Sequence, residues 1–269
     1  MLFRSVTREE YLSGIAHPPV FDGATLDVER MVRMAHGLEP ADVPPLVRLQ
    51  VEEEYLGRPG IDYPGEAPAE KLFDTVSAVA RVARSARYRR RLVASVAKTE
   101  AADGRPISFT WRLLHGDPDR VRIRPLDPLG TRAEILVDWH PRAVYPGSDL
   151  PSARVDVGVF ADNGAQLSAP AFLTWYFPPN ERRGYEPMPE AAAADRKDEV
   201  NGDSPRRIVS IERLPQSGPE TYADPLVIPP FAGTDTYRYD ERGELLGWIR
   251  SQGGRDEEFT ADGRPKPGK

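Results

Sequence analysis

Two stretches limit what this chain can fold into more than anything else in it. The first is Gly104-Arg105-Pro106-Ile107-Ser108-Phe109-Thr110-Trp111, a turn feeding a strand in which Ile107, Phe109 and Trp111 share one face. The second runs from Arg154 to Phe177. In it Val155, Val157 and Val159 alternate with Asp156 and Gly158, Asp162-Asn163-Gly164 supplies a turn, and Ala171 to Phe177 carries aromatics on both faces. Successive side chains of a strand point to opposite faces of a sheet, so period-two patterning marks half-buried strands. Leu46 to Glu54, Leu92 to Val96, Val121 to Arg124 and Glu134 to Trp139 repeat the pattern. Several short strands separated by turn signals predict a mainly β protein built on a small Greek-key sandwich.

The rest of the chain is organised around that centre. Leu26 to His36 has a helical apolar stripe, with Thr25 or Asp27 available as cap and Gly37 placed for a left-handed stop. Residues 69–88 fit a helix through Leu72, Phe73, Val76, Val79, Ala80 and Ala83, and their Ala content favours it; a period-two reading competes. The expected divisions are an N-terminal segment 1–66, a sandwich 67–179, a charged and Ala-rich linker 180–206, and a C-terminal β-hairpin unit 207–269. In the last of these, Asp240 and Asp262 each follow an aromatic-containing strand and precede a Gly, a weak internal repeat.

Cysteine is absent, which removes disulfides, thiolate metal sites and cysteine nucleophiles together. A formal charge of −6 exerts no global pull on nucleic acid, so none is expected as a partner, and no apolar run is long enough for a membrane span. Met1 is followed by polar residues rather than by the apolar core of a signal peptide. Leu2-Phe3-Arg4-Ser5 is what the end of a common sequencing adapter encodes, so the expectation is a true N-terminus that lies further upstream.

Chemistry-bearing motifs are few. His17, His36, His115 and His140 are scattered, with no metal-ligand spacing, no nucleophile elbow and no phosphate-binding glycine loop. The expectation is therefore a chain that is not an enzyme. Asp117, Asp119 and Asp162 are weak calcium candidates in stretches where Asp beside Pro or Gly also closes turns; the main expectation is no cofactor. Arg81, Arg84, Arg87, Arg89, Arg90 and Arg91 surround Tyr88 in a basic run, for which Glu52-Glu53-Glu54 is a natural intramolecular partner. Trp111 and Trp139 read as core. Trp175 and Trp248, with Tyr176 and Tyr237, are candidates for a sugar-stacking surface, since apolar sugar faces pack on aromatic rings.

Residues 92–177 resemble the polycystic-kidney-disease (PKD) and cadherin-like modules of bacterial surface and secreted proteins. The resemblance is carried by Asp103-Gly104-Arg105-Pro106-Ile107-Ser108-Phe109-Thr110-Trp111 and by Val159-Phe160-Ala161-Asp162-Asn163-Gly164 with Ser168-Ala169-Pro170. It departs after Trp111, where Arg112 to Pro118 replaces a compact Gly-Asp-Gly turn, and the calcium cluster of cadherin repeats has no counterpart. Residues 235–263 are similar to the tyrosine-aspartate repeats of wall-associated proteins. The resemblance implies an immunoglobulin-like sandwich outside the cytoplasm, secreted or at the cell surface. Such a module acts as a spacer or binds carbohydrate or protein. Two other readings stand beside it: the accessory C-terminal region of a hydrolase whose catalytic domain lies upstream, and a leaderless cytoplasmic binding protein.

Overall fold

The computed structural model describes residues 7–17, 27–39, 42–57, 62–63, 69–145, 151–189, 205–214 and 232–267. It is mainly β, with 48% strand and 10% helix, as the patterning predicts. The strands are β1 (Gln50–Glu54), β2 (Lys71–Asp74), β3 (Ala78–Val82), β4 (Arg89–Ser95), β5 (Ser108–His115), β6 (Val121–Pro125), β7 (Arg132–Asp138), β8 (Arg154–Asp162) and β9 (Ala171–Tyr176). Five more follow: β10 (Glu181–Pro187), β11 (Arg206–Arg213), β12 (Gly233–Tyr239), β13 (Leu245–Gln252) and β14 (Arg255–Thr260). Among the described residues two short α-helices, α1 (Arg8–Tyr11) and α2 (Val28–His36), precede them.

Among the described residues the strands form three sheets, ordered β1-β4-β7-β6, β2-β3-β9-β8-β5 and β10-β11-β12-β13-β14. The first is antiparallel, the second contains one parallel pair, β3 with β9, and the third is a simple meander. The first two share a single core. Leu92, Ala94, Ile135 and Val137 come from one sheet, and Val155, Val157, Val159, Leu173 and Trp175 from the other. These are the alternate positions of their strands, as face-to-face packing requires.

The Trp111 indole N–H donates to Gly130 O at 2.8 Å, tying β5 to the turn before β7. Gly130 has φ +69° and lies so near Phe109 O that a Cβ would sit 2.7 Å away, so the turn takes no other residue without strain. On β8 the opposite parity, Asp156, Gly158 and Phe160, is buried as well. There the outer face of the second sheet is covered by residues 7–17, with the Tyr11 ring 5.8 Å from Phe160.

Two expectations need correction. Residues 69–88 hold no helix but β2 and β3. Ala is favoured in a helix by under ~1 kcal/mol per residue, which the parallel ladder with β9 and burial of Val79, Ala80 and Val82 outweigh. The expected linker 180–206 opens with β10, whose charged side chains find complementary partners: Arg182 with Glu212, Arg207 with Glu186, Arg183 with Glu181. Residues 190–204 lie outside the described residues. Helix α2 forms where predicted, capped by Asp27, although Gly37 ends it at φ −99° rather than in the left-handed region. The segment before β1 belongs to the sandwich, since Val47 and Leu49 are in its core. No helix among the described residues is long and apolar enough to cross a membrane.

Candidate functional site: a buried arginine joint

The basic run folds inward instead of forming an open patch. Arg81 donates to both Glu54 oxygens, at 2.7 and 2.9 Å, and pairs with Asp74. Arg91 bridges Glu134 and Glu53, Arg132 holds Glu52, and Arg89 grips Asp138 in a two-point pair at 2.6 and 2.9 Å. Of the expected acidic partners, Glu53 and Glu54 serve the run, Glu52 pairs with Arg132 outside it, and Asp74, Glu134 and Asp138 complete the set. Such fork-to-fork pairs fix orientation as well as energy.

Between β3 and β4 the chain turns through Arg84, Ser85 and Arg87 and leaves their carbonyls pointing at β10. The Arg183 guanidinium enters there, its side chain 1% exposed. It donates to Ser85 O at 2.6 Å, to Arg84 O at 3.2 Å and to Glu181 at 2.8 Å, and lies 4.1 Å over the Trp139 ring. Arg90 approaches the same Ser85 from the sandwich side, donating to its carbonyl at 3.1 Å and its hydroxyl at 3.0 Å, with Glu70 at 3.7 Å. Tyr185 fills the space beside them, 5.0 Å from the Tyr88 ring and 6.4 Å from that of Trp139.

Burial pushes the Arg90 pKa down, Glu70 works against it, and the like charge of Arg183 adds to it. Burial also opposes the Arg183 charge, but Glu181 and Tyr185 raise its pKa on balance. Two desolvated cations survive side by side because each has a carboxylate and backbone carbonyls. The arrangement can clamp the third sheet to the sandwich.

The sequence candidates fall elsewhere. Trp175 is 3% exposed in the sandwich core, while Trp248 (5%) and Tyr237 (6%) belong to a second cluster on the third sheet, Trp248 stacked on Phe259 at 4.9 Å. Tyr176 ends β9, half-buried. The two tryptophans are therefore in different cores, and buried rings have no free face for a sugar. Asp117 caps a short 3-10 turn by accepting from Asp119 N–H and pairs with Arg120, while Asp162 accepts from Gly164 N–H and pairs with Arg8. The Asp117 and Asp162 carboxylates each accept from a backbone N–H of their own turn and pair with an arginine, and among the described residues no three His, Cys, Asp or Glu side chains converge as a metal set.

The structure does bring two scattered histidines together: His115 and His140 pack 5.9 and 5.7 Å from the Tyr145 ring. His140 is fully buried. Its Nδ1–H donates to Asp138 O and its Nε2 accepts from Asp117 N–H, which fixes the neutral ring, and burial pulls its pKa down to about 4. Between β1 and β2 a groove of about 760 Å³ opens at the sandwich edge, floored by Leu49 and Val79, with Glu54 and Lys71 paired across its rim at 3.0 Å. Sequence reasoning missed Arg183. The alternation of Arg183 and Tyr185 inside Glu-Arg-Arg-Gly-Tyr-Glu-Pro was the available signal. Compared with known proteins, the chain matches no family model, no curated protein and no solved structure.

Proposed function

We propose that the chain is a non-catalytic β module, an immunoglobulin-like sandwich and a five-stranded sheet locked together as one rigid spacer. The immunoglobulin-like reading is supported by strand order. β1-β4-β7-β6 facing β3-β9-β8-β5 follows the order of the ABED and GFC sheets of that fold, with the first strand divided between them and β2 added at the edge, and the buried Trp111 sits on the strand equivalent to C. The resemblance to surface modules supports a location outside the cytoplasm.

The observation that carries the spacer reading is Arg183. A guanidinium buried from solvent and bonded to backbone carbonyls of the other unit sets a fixed relation between the two. A flexible pair of modules would meet through a wet, exchangeable contact instead. Scanning calorimetry with hydrogen exchange tests this. The expected result is one cooperative transition, with β8 and β12 amides protected by the same opening free energy. Two separate transitions would remove the rigid-spacer reading.

A further inference from the structure

Residues 8–17 are gripped by the outer face of the second sheet at every third position. Arg8 pairs with Asp162. Tyr11 meets Phe160 edge-on, and its hydroxyl donates to Ser168 O at 3.1 Å. Gly14 passes Leu114 so closely that a Cβ would lie 2.0 Å from Leu114 O. The His17 ring lies 5.7 Å from Phe160 and 6.5 Å from Phe172. Ile15, the most apolar residue of the segment, points to water at 60% exposure. The face therefore selects a charge, a phenol, a missing side chain and an imidazole, and not hydrophobicity alone. Helix α1 has 4 residues and the 3-10 turn after it 3, far below the length of a self-sustaining helix. The segment takes its shape from the surface, as a bound peptide does.

We propose that this face is an acceptor for the pattern Arg-x-x-Tyr-x-x-Gly-x-x-His, filled within one chain by residues 8–17 and, between crowded copies, by the same segment of a second copy. The bonds are identical in the two arrangements, which is the condition for exchange at low cost. Residues 18–46, with α2 among them, separate the segment from Val47, the first core residue among those described. Tethering of this kind gives an effective concentration on the order of mM, so exchange sets in only when copies reach comparable local density. This goes beyond the spacer reading and does not depend on the Arg183 joint.

The test uses the full-length chain and a fluorescein-labelled peptide of residues 7–17. Gly14→Val displaces the chain's own segment and frees the acceptor, and Arg8→Glu provides a second freed acceptor, both checked for fold by near-UV circular dichroism. The peptide is expected to bind the two variants saturably and the wild-type chain at least tenfold more weakly, and a Tyr11→Ala peptide is expected not to bind. An equimolar mixture of Gly14→Val chain (free face) and Asp162→Arg chain (free segment) is expected to form a 1:1 complex in light scattering, each alone remaining monomeric. A peptide that binds wild type and variants alike, or none of them, overturns the acceptor. A mixture that stays monomeric overturns the exchange between copies.

Discussion

Arg183 lies 4.1 Å above the ring of Trp139, so a cation from the third sheet is seated on an aromatic from the sandwich core. The same guanidinium takes Ser85 O and Arg84 O. Its removal takes the side-chain donor from Arg84 O, leaves Ser85 O to Arg90 alone, and leaves Glu181 with Arg213 at 3.5 Å. Arg183→Met is expected to cost about 3 kcal/mol and to split the single melting transition into two. Arg183→Lys is expected to rescue less than half of that, because an ammonium cannot make the planar fork or stack as well. Calorimetry on the three proteins measures both.

His140 makes stability depend on pH. Its folded pKa, about 4, is below the unfolded value near 6.5, so between these values protons bind the unfolded chain in preference. Stability therefore falls as pH is lowered from about 6.5 to about 4, by on the order of 3 kcal/mol in all, and this contribution levels off below. Urea titrations at pH 7, 5.5 and 4 are expected to show the loss, and His140→Gln to flatten it.

Asp235 is 1% exposed and shared by two arginines, Arg213 at 2.6 Å and Arg250 at 2.8 and 3.0 Å. Burial alone would raise its pKa; the bonds from Arg250 and Arg213 hold it below the usual carboxylate value. Its contribution is present above the unfolded pKa and is lost as pH falls through the folded one. Asp235→Asn leaves two guanidiniums facing an uncharged amide, and a loss of about 3 kcal/mol is expected at pH 7, seen as a lowered Tm in calorimetry.

Trp111→Phe removes one indole bond, to Gly130 O, while keeping most of the apolar bulk. A loss of about 1–3 kcal/mol is expected in denaturant melts, with faster amide exchange in the 127–131 turn. Gly130→Ala acts on the same turn through φ +69° and the Phe109 contact and is expected to destabilise by a similar amount. The double variant is expected to lose less than the sum, since both changes loosen one contact.

Several sandwich strands were legible from an alternating apolar parity: Val155, Val157 and Val159, or Leu92 and Ala94, need no knowledge of their partners to be placed on a face. Residues 69–88 were not legible in the same way. Leu72, Phe73, Val76 and Val79 satisfy a helical stripe as well as a strand, and pairing with β9, far along the chain, decides between them. The arginine run showed two of its acidic partners, Glu53 and Glu54. It did not show that Arg90 would share Ser85 with Arg183, because a carbonyl turned toward another unit leaves no mark in residue type. Trp175 and Trp248 stood next to aromatics in strands of mixed parity, so only the sheet registers show that both rings turn inward.

By itself the amino-acid order determined the class of the protein, the faces of its strands and the chemistry missing for want of cysteine, because these depend on neighbours one to four residues away. The tertiary structure alone decided which cations became a joint, which histidines met around Tyr145 and which face took up residues 8–17. Those outcomes depend on desolvation and on contacts between residues tens to more than a hundred positions apart. The free energy of a buried charge or ring is set by whatever surrounds it after folding, and no local pattern encodes that surrounding.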